Sequence, residues 1–121
     1  MEGKGKRTWI FADGDLPPPG SEEPYGHEAL MIVNTGDESV DCNLIFYFEN
    51  DDPITGIIIK VDAKRVKCVR LDEPIGEKGY KLPLGQYALE VNASLPVVAV
   101  FGRLDVRQKN LAYYAVQGFS C

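Results

Sequence analysis

The side chains able to do chemistry are few, and they fall at recurring places along the chain. Trp9 is the only tryptophan; an indole face stacks on sugar rings or cations, and its N–H donates one hydrogen bond. Arg70, Arg103 and Arg107 each present a planar fork of donors suited to a carboxylate, a phosphate or vicinal hydroxyls. Asp13, Glu28 and Asp105 can pair with those arginines or accept from hydroxyls. His27 directly precedes Glu28, so on a strand the two point to opposite faces. Together these residues have the makings of a pocket for a small polar molecule.

The same inventory is poor in catalytic signals. A zinc or iron centre in a β-barrel gathers two or three histidines, and this chain has one, so no metal site is expected. None of the serines at 21, 39, 94 and 120 lies in a nucleophile elbow. Cys68 has Lys67 and Arg70 near it, which could lower its pKa, but a small buried side chain is the simpler reading. No glycine-rich loop follows a strand and opens a helix, so no nucleotide cofactor is expected. Two of Asp13, Glu28 and Asp105 at glycosidase spacing could cleave a sugar bond, a reading that ranks below binding.

Charge and cysteines narrow the partners. Lysine and arginine number 13, aspartate and glutamate 18, for a net charge of -5, which disfavours nucleic acid. Cys42, Cys68 and Cys121 are odd in number and match no zinc or redox spacing, which suits a reducing compartment. The longest apolar run, Leu95 to Phe101, is far short of the roughly 20 residues that span a bilayer. No signal-peptide pattern follows Met1–Lys6, and a cytoplasmic protein that is not membrane-embedded is expected.

The elements that must position these residues read as strands. Segments rich in Val, Ile, Tyr and Phe alternate with Gly, Pro, Asp and Asn breaks. Eight are expected, near 7–13, 27–34, 40–49, 56–61, 64–71, 86–92, 97–104 and 111–117. The third alternates most clearly: Cys42, Leu44, Phe46 and Phe48 on a core face, Asn43, Ile45, Tyr47 and Glu49 on the other. Gly36 in Asn34–Glu38 can supply a positive φ, and Asn50–Pro53 is a second polar break. Gly14–Gly26, with four prolines and three glycines, reads either as a rigid crossover or as a functional loop. The only helix candidate is 106–110. The expected fold is one domain over 1–121, an all-β, two-sheet antiparallel sandwich of jelly-roll type, with 1–6 and 118–121 as flexible tails.

Several stretches, taken in order, resemble the sensory rhodopsin transducer family of soluble cyanobacterial-type proteins. They are Trp9–Gly14 with Pro17 and Pro18; His27-Glu28; Asn34–Glu38; Ala63–Arg65 with Lys67, Val69 and Arg70; and Arg103–Asp105 with Arg107 and Gln108. The resemblance runs from about residue 7 to 117. It implies a cytoplasmic β-sandwich that assembles as a homotetramer and binds a small, sugar-like or anionic metabolite. It places Trp9, Asp13, His27, Glu28, Arg70, Arg103 and Asp105 at the pocket. The chain departs from the family pattern at Asp13, where glutamate is usual, at Cys68, where histidine is common, and at Val100-Phe101, where a Gln-His pair is common.

The leading expectation is therefore a non-enzymatic small-molecule sensor or transducer domain. A signalling adaptor that contacts a protein partner stands second, and a carboxylate-pair hydrolase third. The apolar faces of Leu95–Phe101 and Tyr113–Val116 add support for a homo-oligomer.

Overall fold

The computed structural model of the chain describes residues 2–107 and 112–121. Every regular element in them is a strand, as the alternating sequence requires: β1 (Lys6–Leu16), β2 (His27–Asn34), β3 (Val40–Tyr47), β4 (Ile54–Val61), β5 (Arg65–Arg70), β6 (Gly85–Asp105), β7 (Ala112–Val116) and β8 (Phe119–Ser120). All pairings are antiparallel. The helix candidate at 106–110 lies for the most part outside the described residues.

The strands form two layers that share β6. One layer runs β4-β3-β6-β1-β8, and the other places β6 between β2 and β7 with β5 beyond β2. Residues 86–92 and 97–104, expected as two strands, are thus one strand of 21 residues. The reason is in its alternation. Tyr87, Leu89, Val91, Val97, Ala99 and Phe101 all point inward at odd positions, so no change of phase separates the halves. The change of layer falls at Ala93–Pro96, where β1 pairs Thr8 with Asn92 but Lys6 with Val97. Three extra residues in β6 are accommodated there, and proline, which has no N–H to give a ladder, is tolerated at such an irregularity.

The core lies between the layers. Phe11 of β1 stacks on Phe101 of β6 with ring centroids 5.7 Å apart, and Tyr87 meets both Phe46 and Phe101 edge-on or tilted. Cys42, Leu44 and Phe46 are buried, as their alternation predicts, and Phe48 packs at the margin.

Three further differences from the expected elements have local causes. β1 continues to Leu16, because Gly14–Leu16 pair with Gly85–Tyr87, so the proline segment proper is 17–26. Gly36 does not use a positive φ; it lies so close to Gly3 that a Cβ there would come within 2.7 Å of the Gly3 nitrogen. Asn34 fixes that turn instead, donating to the carbonyls of Glu38, Val61 and Asp62 and accepting from the Gly36 N–H. Phe119 and Ser120, expected in a loose tail, pair with Ile10 and Trp9 of β1, and Cys121 exchanges main-chain bonds with Thr8.

Candidate functional site

Inward parity puts Glu28 of β2 and Arg103 of β6 opposite each other at the end of the core. Glu28 is 0% exposed. Its Oε2 accepts from Arg103 Nε at 2.7 Å and from the Asp15 N–H at 3.0 Å, and its Oε1 accepts from the Tyr87 hydroxyl at 2.6 Å. Arg103 Nη2 donates to the Asp13 carbonyl at 2.7 Å, and the Asp13 carboxylate stands 4.0 Å from the same nitrogen. A buried charge pair is tolerable only when its remaining lone pairs and protons are bonded, and here they are. The centre therefore ties β2, both halves of β6 and the end of β1 together.

The Tyr87 hydroxyl is held protonated: burial raises its pKa above the usual phenol value, and the Glu28 charge and hydrogen bond push the same way. Gly14 is required beside it, since a Cβ there would fall 2.5 Å from the Tyr87 ring.

A second set surrounds this centre at the surface. Asp105 accepts from the Arg107 main-chain N–H and from its guanidinium, which holds the Asp105 carboxyl down to about 2. Arg107 Nη2 also stands 4.0 Å from Asp15. Asp13, Glu28 and Arg103 are thus brought together in a buried frame, with Asp105 joined to their margin through Arg107 and Asp15. Asp13 and Glu28 share an arginine instead of facing each other across a cleft.

His27 and Arg70 lie on the opposite face of β2 and β5. They share a shallow cleft of about 490 Å³ with Glu23, Pro24 and Tyr25 of the proline segment. His27 Nδ1 lies 2.9 Å from the Tyr25 carbonyl, which can only accept, so Nδ1 carries the proton and Nε2 of the neutral ring is left as an acceptor. Arg70 is held by Asp72 through Nε and Nη2, both at 2.8 Å, so its fork is fixed in place. The Asp72 contact raises the Arg70 pKa further, against partial desolvation. The cleft thus combines an acceptor, a fixed planar donor, a phenol and a carboxylate.

Trp9 belongs to neither set. It is 8% exposed, and its indole N–H donates to the carbonyls of Lys6 and Val97, both at 3.1 Å, across the point where β6 changes layer. Among the participants not singled out from the sequence are Tyr87, Asp15, Tyr25 and Asp72. Tyr87 alone had a signal, its inward position on the same strand face as Arg103. The other three act through main-chain position or loop path. Among the described residues no cluster of three or more His, Cys, Asp or Glu is placed to hold a metal ion. Nor is any helix there long and apolar enough to cross a membrane.

The chain is thus an all-β, sandwich-like antiparallel domain with one strand common to both layers. The chain belongs to the Anabaena sensory rhodopsin transducer family, whose model matches residues 4–120. This confirms the resemblance carried by the motifs. A Thermotoga maritima protein designated 1070 has a crystal structure similar to this one, with a TM-score of 0.83 and 28% identity over 96% of this chain and 95% of that one. The Anabaena sensory rhodopsin transducer is similar at a TM-score of 0.70, with 28% identity over 82% of this chain and 95% of the other. No curated protein matches the sequence.

Proposed function

We propose that this domain is a cytoplasmic, non-enzymatic sensor that binds a small sugar-like or anionic molecule at the His27–Arg70 cleft and passes the event to a signalling partner. The observation that carries the reading is the meeting of His27 and Arg70 with Tyr25. Two separate strands and the proline segment supply an acceptor, a donor fork already oriented by Asp72, and an aromatic face. That combination suits vicinal hydroxyls or a carboxylate. In this reading Glu28, Arg103 and Asp13 form the frame under the cleft. They set the position of β2 and of the start of the proline segment, and Trp9 buttresses β6. Membership of a transducer family supports a downstream protein partner.

The outer face of the β5-β2-β6-β7 layer supports a homo-oligomer, a tetramer by family resemblance. Val66 and Tyr113 are 67% and 54% exposed, and Val98, Val100 and Met31 lie between them on the same face. A contiguous apolar face of this kind is typical of an interface. His27 and Arg70 border it, so a second copy seated there would wall the cleft.

Thermal-shift screening against monosaccharides, sugar acids and sugar phosphates tests the ligand. A ligand at about a hundred times its Kd stabilises the folded state by about 2.7 kcal/mol, a rise of several degrees in Tm. His27→Ala and Arg70→Ala should abolish the rise while leaving the unliganded Tm near that of the wild type. If no compound in the panel raises Tm, or if both variants respond as the wild type does, the cleft is not the site.

A further inference from the structure

Resting on the small-molecule reading of the His27–Arg70 cleft, we infer that its ligand is a small polyol carrying a protonated amine, an amino sugar, and that Glu23 selects it over neutral and anionic sugars.

The proline segment holds a carboxylate at the cleft in a fixed setting. Pro17, Pro18, Pro19 and Pro24 each lock φ at one position of residues 17–26. The Gly26 N–H donates to the Pro19 carbonyl at 2.9 Å, so the segment folds back on itself. Gly26 lies so close to the Pro18 carbonyl that a Cβ there would come within 2.5 Å of its oxygen, and a Cβ on Gly20 would meet Val106 just past β6. Between these anchors, Glu23, Pro24 and Tyr25 line the cleft.

Charge in the cleft is unequal. Arg70 is its one permanent cation, and that charge is already matched. Asp72 accepts from Arg70 Nε and Nη2, both at 2.8 Å, and the Glu73 charge acts on the same guanidinium. Glu23, by contrast, joins no ion pair among the described residues. The local sum is therefore negative. An anionic ligand would be repelled by Glu23. It would also find the Nε–Nη2 side of Arg70, which grips a carboxylate through two parallel bonds, filled by Asp72.

Donors and acceptors point the same way. Glu23 brings two acceptor oxygens, and His27 Nε2 brings a third because Nδ1 is engaged by the Tyr25 carbonyl. Arg70 Nη1 is left as a donor, since Asp72 uses only Nε and Nη2. Acceptors outnumber donors, so the complement is a donor-rich molecule. An ammonium supplies three N–H donors and no acceptor, and hydroxyls donate to His27 and accept from Arg70. Tyr25, 45% exposed, adds a ring face for the ammonium or for the C–H face of a sugar. A bare alkylammonium would leave Arg70 Nη1 without an acceptor, which is why the hydroxyls are required.

Isothermal titration calorimetry with glucosamine, glucose, N-acetylglucosamine and gluconate at neutral pH tests the assignment. Glucosamine should bind roughly tenfold more tightly than glucose, the margin of a charge-assisted over a neutral hydrogen bond. N-acetylglucosamine, whose nitrogen is uncharged, should bind no better than glucose, and gluconate should bind less well. In Glu23→Gln the glucosamine-to-glucose ratio should fall to about one. Glu22→Gln, one residue away but outside the cleft lining, should keep the full ratio. Both positions are exposed, and circular dichroism confirms that the variants fold. Equal binding of glucosamine and glucose, a preference for gluconate, an undiminished ratio in Glu23→Gln, or an equal loss in Glu22→Gln would each overturn the amino-sugar assignment while leaving a ligand in the cleft. If none of the four compounds binds, the assignment is overturned as well, and the wider thermal-shift panel alone decides whether the cleft is a site at all.

Discussion

The Glu28 carboxylate and the Arg103 guanidinium meet at 2.7 Å inside the domain, as cross-strand neighbours in the β2–β6 ladder. Each is the main counter-charge of the other, so removing one strands the other in a low-dielectric site. Glu28→Gln and Arg103→Met should each lower the unfolding free energy by about 3–5 kcal/mol. The double substitution Glu28→Leu/Arg103→Met should cost clearly less than the two singles added together, because no charge is then left buried. Urea unfolding of the four proteins measures the coupling, and strict additivity would contradict the assignment of this pair as an internal lock.

Alkaline stability follows from two buried acids. Burial raises the Tyr87 phenol above its ordinary 10.0, with Glu28 adding to the effect, and burial raises the Cys42 thiol from 9.0 to about 11. Both groups are neutral when protonated, and the folded state holds the proton more tightly than the unfolded chain does. Their contribution is therefore complete below pH 9 and lost as pH climbs, by about 1.4 kcal/mol per pH unit for each group that the unfolded chain releases. The unfolding free energy should begin to fall above pH 9 and steepen above pH 10. Tyr87→Phe should be less stable than wild type at neutral pH, by about 1 kcal/mol for the lost hydrogen bond. Its alkaline decline should nonetheless be shallower. An identical slope in wild type and variant would show that Tyr87 does not govern it.

Gly14 is a tight point beside the centre. An added methyl would lie 2.5 Å from the Tyr87 ring, which the bond to Glu28 prevents from turning aside. Gly14→Ala should cost about 1–3 kcal/mol, the range for overpacking. In the Tyr87→Ala background the penalty should shrink, because the obstructing ring is gone. Thermal unfolding of the single and double variants reads this directly, and an undiminished penalty would place the strain elsewhere.

Cys68 reports on the proposed oligomer face. Contrary to its reading as a small buried side chain, it is an exposed thiol, because it lies opposite Met31 on the outer face of the edge strand β5, the same face as Val66, Val98 and Val100. If a second copy covers that face, Cys68 should react slowly with a thiol reagent in wild type and quickly in Val98→Asp/Val100→Asp, while Cys121 reacts quickly in both. Buried Cys42 should react only on unfolding. Fast reaction of Cys68 in the wild type, with a monomer by light scattering, would leave the face open and remove the oligomer.

Much of the fold was legible because alternation in this chain is clean. In β3 the core face read directly from Cys42, Leu44 and Phe46. In β6 the odd positions are apolar from Tyr87 to Phe101, which argues for one strand, although residues 86–92 and 97–104 read as two. The even positions were informative too: Glu90, Asn92 and Ser94 face solvent on one layer, whereas Val98 and Val100 continue on the other. The candidate site was legible by residue type but not by arrangement. Glu28 and Arg103 share the inward parity of their strands, which signals an internal pair. His27 and Arg70 meet only because β2 pairs with β5, a register that spacing alone does not fix. Tyr25 and Asp72 enter through loop paths that leave no periodic trace.

The place of β6 in both layers bears on how the chain assembles as it leaves the ribosome. Before residue 85 is synthesised, β2 has only β5 and β3 has only β4, two separate two-stranded ribbons, while β1 has no neighbour at all. Such ribbons are marginal in water, and independent stability starts at about three strands with an apolar face. Translation of a single late segment brings both layers past that threshold together. The nascent chain therefore has no folded halfway stage, and its apolar strands stay open to chaperones until residues near Asp105 have emerged.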